Sequence, residues 1–467
     1  MILCFCYRVT ALNFFIDIAG LKLHPQSQLP PSSFENVAFA RPTLSIIFFI
    51  LACLYVAVDF LGLELRRPVE VLFVLLGFWF LFTGPRPIKR SVPVLLMGLT
   101  TVVLTISWLM MVVDHPERAR SGPSLEDVLD KFIFVFFALA LAGLQLRIKL
   151  FTCFVVLLIV LMPWLMGEGA AAFQAGLAGG RQGFGISPIR TAMYFCLVFI
   201  FALTFLKETI TGSDRCWRRA FLLFVLLVYA LVCILFAQTR AAFIALPLAF
   251  VLCLPLFHFT GQLSAKWFLV PLGVLALTSA VLIGALSGTD VFDRNVNRFM
   301  MELGTVDSVM EGDLDTIEDS SWGLRVKFTV IGIEQFLERP LTGWGYKGSQ
   351  QALADAADDG YLPKPYTQLH NSYLEALVDY GVGGLFIFLA LFMWAFYRLA
   401  LAGRSAQIKP EYLTGLFLYL MFLVVFSVFD GILFQERHGP LIFNIVMGLA
   451  VTHIYRDMLS PQKTLDL

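Results

Sequence analysis

Residues 368–391 read QLHNSYLEALVDYGVGGLFIFLAL, and the sequence changes within this stretch from polar to almost wholly apolar. The apolar run continues to residue 397, which is long enough for an α-helix to cross a bilayer, since crossing takes about 20 residues. Ser372 and Glu375 have the spacing of a capping box, which predicts that the helix begins here. The stretch therefore predicts a membrane helix that follows a polar loop.

The same apolar character extends over the rest of the chain. Of its 467 residues, 58% are hydrophobic, 15% are charged and 46 are phenylalanine. Soluble domains are closer to half apolar and a quarter charged. Acidic and basic residues are equal in number, so the net charge gives no argument for a nucleic-acid partner. We predict an all-α integral membrane protein.

Apolar runs of membrane-crossing length recur along the chain and predict about 12 transmembrane helices. The predicted spans are 43–63, 69–83, 91–113, 128–146, 148–167, 190–207, 219–238, 241–259, 266–287, 371–397, 410–430 and 439–455.

The distribution of lysine and arginine predicts the orientation of these spans. If the N-terminus is cytoplasmic, the inner segments hold twice as many basic residues as the short outer segments. Both termini are then cytoplasmic, and the one large loop is periplasmic. The predicted parts are a cytoplasmic lead-in (1–40), helices one to nine (41–287), the periplasmic loop (288–370), helices ten to twelve (371–457) and a cytoplasmic tail (458–467).

The large loop 288–370 differs in composition from the rest of the chain, with twice as many acidic as basic residues. Residues 322–338, WGLRVKFTVIGIEQFLE, predict an amphipathic helix. Residues 340–348, PLTGWGYKG, predict a glycine-containing turn. We therefore expect helices within the loop.

His370 is the first candidate for chemistry, because it lies where the large loop meets the tenth predicted helix and a histidine there can accept a proton. A lone histidine is more often structural. Glu375, one turn further on, is explained equally well as the capping-box glutamate.

Arginines near the outer face are the second group of candidates. Arg240 in QTRAAFIALP lies between two apolar runs and must therefore be at the membrane surface. An arginine there either has a functional partner or extends its charged end to water. Arg325 in SWGLRVKF fits a solvated helix face equally well. Arg181 and Arg190 frame the glycine-rich loop GGRQGFGISPIR, whose glycines allow close approach to a ligand.

Several other motifs do not fit a known chemistry. Asp313 and Asp315 form a D-x-D pair, but the predicted topology places it away from cytoplasmic nucleotide sugars. GWGYKG lacks the P-loop spacing. No two cysteines have C-x-x-C spacing, and we expect the eight cysteines to pack as small apolar residues.

Four segments, in order, resemble the bacterial O-antigen ligase and polysaccharide polymerase superfamily. They are RQGFGISPI, the T-R-A pattern at 239–241, ERPLTGWGYKG and HNSYLEALVDYGVGGLFIF. The large outer loop between helices nine and ten also matches. Family members often have Ser-Arg-Gly where this chain has Thr239-Arg240-Ala241.

The resemblance implies a GT-C-like membrane glycosyltransferase. Such enzymes transfer a glycan from undecaprenyl pyrophosphate to a hydroxyl acceptor at the periplasmic face of the inner membrane. We expect inversion at the anomeric carbon and no metal ion or other cofactor, because arginines can supply the positive charge. The implied catalytic residues are Arg240, Arg325 and His370, with Arg181, Arg190, Asn371 and Glu375 as candidates for substrate binding.

Three alternatives stay open at this stage. A ligase would transfer O-antigen to lipid A-core, and the length of the chain and its single large outer loop favour this function. A polymerase would instead extend carrier-linked repeats. A transporter or flippase would have related halves, which the sequence lacks. A structural scaffold leaves the placement of His370 and Arg240 unexplained.

Overall fold

The computed structural model describes residues 42–116, 122–142, 145–211, 216–261, 319, 321–405, 408–432 and 438–459. Within these ranges the regular structure is helical. The helices, in chain order, are α1 (Pro42–Leu61), α2 (Arg66–Thr83), α3 (Arg86–Lys89), α4 (Val92–Asp114), α5 (Leu125–Leu141), α6 (Gln145–Leu165), α7 (Ala170–Leu177), α8 (Pro188–Thr211), α9 (Trp217–Ala237), α10 (Arg240–Leu252), α11 (Leu254–Phe259), α12 (Ser321–Glu338), α13 (Gly348–Asp358), α14 (Ser372–Arg404), α15 (Pro410–Phe426) and α16 (His438–Met458).

The prediction of an all-α membrane protein is confirmed at this level. In the described ranges, eight helical segments are long and apolar enough to cross a membrane. Three further predicted spans coincide with helices that are too short or too charged to be counted among these eight. Helix α2 carries Arg66, Arg67 and Glu70 within its 18 residues, and helices α5 and α15 are only 17 residues long. The total of twelve spans and the GT-C-like assignment remain predictions.

Some predictions fall outside the described residues. They concern the lead-in 1–40, the ninth span 266–287, the first part of the large loop with its Asp313–Asp315 pair, and nearly all of the tail 458–467.

Helices α5 and α16 form the centre of the bundle, and almost every side chain on both is buried. Asn444 on α16 joins them, because its Oδ1 accepts the Phe134 N–H at 2.9 Å and its Nδ2 donates to the Asp130 carbonyl at 2.6 Å. Such bonds between helices satisfy polar groups that lipid cannot. The tight packing requires Gly448, since a Cβ there would lie 2.7 Å from the Phe137 Cβ.

The amphipathic helix predicted at 322–338 is present as α12. Its buried side, which includes Phe328 and Ile331, packs against Leu369 and Leu374 in a small core separate from the main one. At its C-terminal end, Arg339 forms a 2.7 Å ion pair with Asp114 at the end of α4. The helix is thereby held against the ends of the membrane helices.

Helix α14 is broken at Gly381, and the predicted turn 340–348 fills the break. Gly381 has φ 64° and ψ −160°, a conformation that is essentially restricted to glycine. The Val382 N–H donates to the Pro340 carbonyl at 2.9 Å, and the Trp344 N–H donates to the Val378 carbonyl at 2.8 Å. The turn therefore positions α12 relative to the start of α14, where His370 lies.

Candidate active site

A cleft at one end of these helices brings together four of the predicted site residues. Its empty volume is about 870 Å³, including open solvent. The predicted residues that line it are Arg181, Arg240, Arg325 and His370. They come from four separate parts of the chain: the loop 178–187, the start of α10, helix α12 and the segment just before α14.

The turn between α9 and α10 positions the first two arginines. Gln238 adopts a left-handed conformation with φ 47°, which ends α9 and lets α10 begin two residues later. Its Nε2 donates to the Gly179 carbonyl at 3.1 Å, and the Gln182 N–H donates to the Phe236 carbonyl at 2.8 Å. Arg181 Nε donates to the Ala237 carbonyl at 3.2 Å, so Arg181 and Arg240 flank the same turn.

Arg240 is the first residue of α10, and its neighbours Thr239 and Ala241 also line the cleft. The Thr239 hydroxyl makes its 3.2 Å hydrogen bonds to the carbonyls of Pro188 and Ala237, and it does not cap the helix. The N-terminus of α10, with its partial positive charge, therefore adds to the guanidinium charge at this wall. This combination favours an anionic ligand.

Arg325 lies in the second turn of α12 and is half-buried. Burial lowers the pKa of its guanidinium, and the negative charge of Asp430 opposes that shift. An arginine remains charged despite such a shift, because a guanidinium is not deprotonated in proteins. The positive charge of Arg325 therefore lies where the protein excludes part of the water. Electrostatic interactions are stronger there than in bulk water.

His370 is paired with Asp430, which the sequence did not identify. Its Nδ1 lies 3.1 Å from Asp430 Oδ1, and the buried Asp430 Oδ1 also accepts the Gly431 N–H at 3.1 Å. Because a carboxylate only accepts hydrogen bonds, Nδ1 carries the proton in this pair and Nε2 carries the lone pair. A histidine oriented in this way is suited to act as a general base.

A stacking contact also holds the His370 ring in place. Phe328 on α12 stacks against it, with ring centroids 6.0 Å apart. The backbone of His370 is left-handed, with φ 56°, a conformation that is uncommon outside glycine and often found at functional positions.

The capping box predicted for Ser372 and Glu375 is wrong. Asn371 is the N-cap residue, and its Oδ1 accepts the N–H groups of Tyr373 and Leu374 at 3.0 and 3.2 Å. The Ser372 hydroxyl donates instead to the Asp430 carbonyl at 2.9 Å. Asn371 rather than Ser372 is the N-cap, because the helix begins one residue earlier than the capping-box motif implied.

Glu375 is buried beneath the cleft. Its Oε1 accepts the N–H of Leu369, the residue before His370, at 2.8 Å. Glu375 and Asn371 therefore support the segment that carries His370, and neither lines the cleft. Arg190 does not line it either, although its neighbour Ile189 does.

Sequence reasoning missed Asp430 and an aromatic part of the cleft. An aspartate at the outer end of the eleventh predicted span was a usable signal, because ionisable residues near the membrane usually have a specific partner. Trp322, Phe328, Tyr366 and Phe429 also line the cleft, but single aromatic residues are too common in this chain to have been identified.

The arrangement combines an anion-binding wall with a proton acceptor. Arg181, Arg240 and Arg325 offer planar donors that suit phosphate oxygens. The oriented imidazole of His370 lines the same space. Within the described residues, no group of three His, Cys, Asp or Glu side chains could hold a metal ion.

Comparison with known proteins finds one matching family model. Residues 222–389 match the family model described as O-antigen ligase, and this range includes Arg240, Arg325 and His370. No curated protein matches the chain. This match confirms the resemblance to the O-antigen ligase and polysaccharide polymerase superfamily over residues 222–389, which hold three of the four sequence motifs.

Proposed function

We propose that the protein is an O-antigen ligase, which transfers a glycan from undecaprenyl pyrophosphate to lipid A-core at the periplasmic face of the inner membrane. The observation that carries the proposal is the meeting of Arg240, Arg325 and the His370–Asp430 pair in one cleft. A cleft with these groups supports an enzyme over a transporter, because it combines leaving-group stabilisation with a proton acceptor.

The two arginines act on the leaving group. As the bond between the anomeric carbon and the pyrophosphate oxygen breaks, negative charge grows on the lipid pyrophosphate. Arg240, the N-terminus of α10 and Arg325 stabilise that charge. Because these groups are already in place before reaction, they contribute to the rate without reorganisation.

His370 acts on the acceptor. The acceptor hydroxyl oxygen forms a bond to the anomeric carbon, on the side opposite the departing pyrophosphate, and its proton passes to His370 Nε2. This single displacement inverts the anomeric configuration. Asp430 stabilises the imidazolium that results, since its Oδ1 faces Nδ1 at 3.1 Å. Arg181 is the more exposed arginine of the cleft and contacts the glycan or the pyrophosphate at its edge.

The test is transfer of glycan from undecaprenyl pyrophosphate to purified lipid A-core by the full-length protein. Arg240→Ala and Arg325→Ala should each lower the rate by about 10² to 10³, the usual effect of removing one preorganised donor. Arg218→Ala is the matched control, because this exposed arginine lies at the opposite end of α9 from the cleft, about 30 Å along the helix.

The outcomes separate the possible functions. Product on lipid A-core that depends on both arginines supports the ligase. Longer carrier-linked chains with unglycosylated lipid A-core would assign the protein as a polymerase. Full activity of both arginine variants would refute the leaving-group role.

A further inference from the structure

Trp322 is a large aromatic side chain that remains substantially exposed in the cleft. It is 41% exposed and lies in the first turn of α12, outside the candidate membrane spans. Phe328, on the same helix, is only 2% exposed, because its ring packs edge-on against Tyr366 at 4.9 Å and stacks on His370. Trp322 therefore offers ring surface to a ligand, whereas Phe328 is used to support His370.

The position of Trp322 relative to Arg325 defines where such a ligand lies. Residues three apart share a helix face, and the rise between them is about 4.5 Å along the axis. Both side chains line the cleft. A ligand with a phosphate bound by Arg325 can therefore place its neighbouring group beside the indole.

The chemistry of the surroundings favours a sugar ring as that group. A pyranose has an apolar C–H face and a polar rim, so it needs an aromatic surface with hydrogen-bonding groups nearby. Gln238, Arg181 and Tyr366 line the same cleft and have such groups.

We propose that Trp322 is a stacking platform for a sugar ring of the carrier-linked glycan and determines selectivity for it. The inference rests on the proposed function, since it assumes a glycan linked to the phosphate at Arg325. Trp322 binds substrate but takes no part in proton transfer, so its loss acts on donor binding and leaves the chemical step largely intact.

The experiment measures the Kd of purified full-length protein for two probes, undecaprenyl pyrophosphate with a glycan and the same carrier without sugar. Trp322→Ala should weaken binding of the glycan-bearing probe about three- to tenfold, in the range of aromatic stacking contacts. Binding of the sugar-free probe should stay within about twofold. Trp322→Phe should restore most of the affinity, because a smaller ring still stacks.

Trp217→Ala is the matched control, since Trp217 is 75% exposed at the far end of α9. It should leave both affinities unchanged. Equal weakening of both probes by Trp322→Ala would overturn the assignment to sugar and place the indole against the lipid or the phosphate. Unchanged affinity for both probes would also overturn it.

A parallel transfer assay separates this inference from the proposed function. If wild-type protein transfers glycan and Trp322→Ala transfers it with an unchanged donor KM, only the platform is refuted. If wild-type protein neither binds the glycan-bearing probe nor transfers it, both proposals fail.

Discussion

At the scale of single residues, the proposed proton transfer depends on the pairing of His370 with Asp430. Asp430 Oδ1 accepts from Nδ1 and from the Gly431 N–H, so the carboxylate is itself held in position by the backbone. Such an arrangement selects one tautomer of the imidazole. It also stabilises the positive charge that His370 acquires when it takes a proton.

Asp430→Asn should lower kcat for glycan transfer by about 10² to 10⁴ with little change in donor KM, because an amide can stabilise the wrong tautomer and has no negative charge. The measurement is steady-state transfer by the full-length protein. A merely structural role would raise KM or abolish folding instead. An unchanged kcat in a folded Asp430→Asn protein would contradict the pairing as a positioning device.

Glu375→Gln provides the comparison for this variant. Glu375 Oε1 accepts a backbone N–H from Leu369, and an amide oxygen can do the same. We therefore expect Glu375→Gln to retain much more of the transfer rate than Asp430→Asn.

Several residue-level predictions could be made from the sequence because the motifs were local. His370, Arg240 and Arg325 each stood out within a short segment, and the structure places all three in one cleft. Asp430 lies 60 residues after His370, and nothing in the sequence pairs the two. The capping assignment was wrong because two residue types that favour N-caps, Asn371 and Ser372, are adjacent, and only the backbone conformation distinguishes them.

At the scale of elements, the break in α14 and the 340–348 turn form one unit. A Cβ on Gly381 would lie 2.5 Å from the Leu341 carbonyl carbon, and a Cβ on Gly343 would lie 2.5 Å from that of Asp379. Both glycines have positive φ. The family motifs around Gly343 and Gly381 are therefore two sides of the same contact, which sets the position of α12 over the cleft.

Gly381→Ala should destabilise the protein by about 2 kcal/mol or more, because the backbone conformation is strained for alanine and the methyl group overlaps the turn. The readout is the apparent Tm of the full-length protein in detergent. Gly383→Ala, two residues away, should be neutral or slightly stabilising, since its Cβ would meet Val103 at an ordinary 3.5 Å. Equal effects of the two substitutions would refute the docking argument.

At the scale of the whole molecule, the orientation in the membrane decides which face holds the cleft. The distribution of basic residues predicts cytoplasmic termini and a periplasmic large loop. Two exposed positions on opposite sides test this prediction: Asp359, which follows α13 in the large loop, and the native Cys216, which precedes α9.

A cysteine introduced by Asp359→Cys should react with a membrane-impermeant maleimide in cells whose outer membrane has been permeabilised. In a background with Cys4→Ser and Cys6→Ser in the predicted lead-in, native Cys216 should react only after the inner membrane is opened. Adding Cys216→Ser should remove that second signal. The reverse order of labelling would invert the predicted topology and place the cleft in the cytoplasm.

The membrane class, the approximate helix positions and four of the cleft residues could be derived from the linear sequence. The physical reason is that apolar runs of membrane-crossing length and charged residues beside them are local signals, because the bilayer imposes its own length and polarity on each segment. Eleven of the twelve predicted spans coincide with helices in the described ranges.

Only the tertiary structure decided which of these side chains meet. The His370–Asp430 pair, the stacking of Phe328 on His370 and the docking of the 340–348 turn against Gly381 join segments that are far apart in the chain. Such contacts depend on how helices pack, and helix packing is set by the shapes of many side chains together. The arginines and the histidine of the cleft were therefore visible in the sequence, whereas the rest of its lining and the partners of these residues depend on the fold.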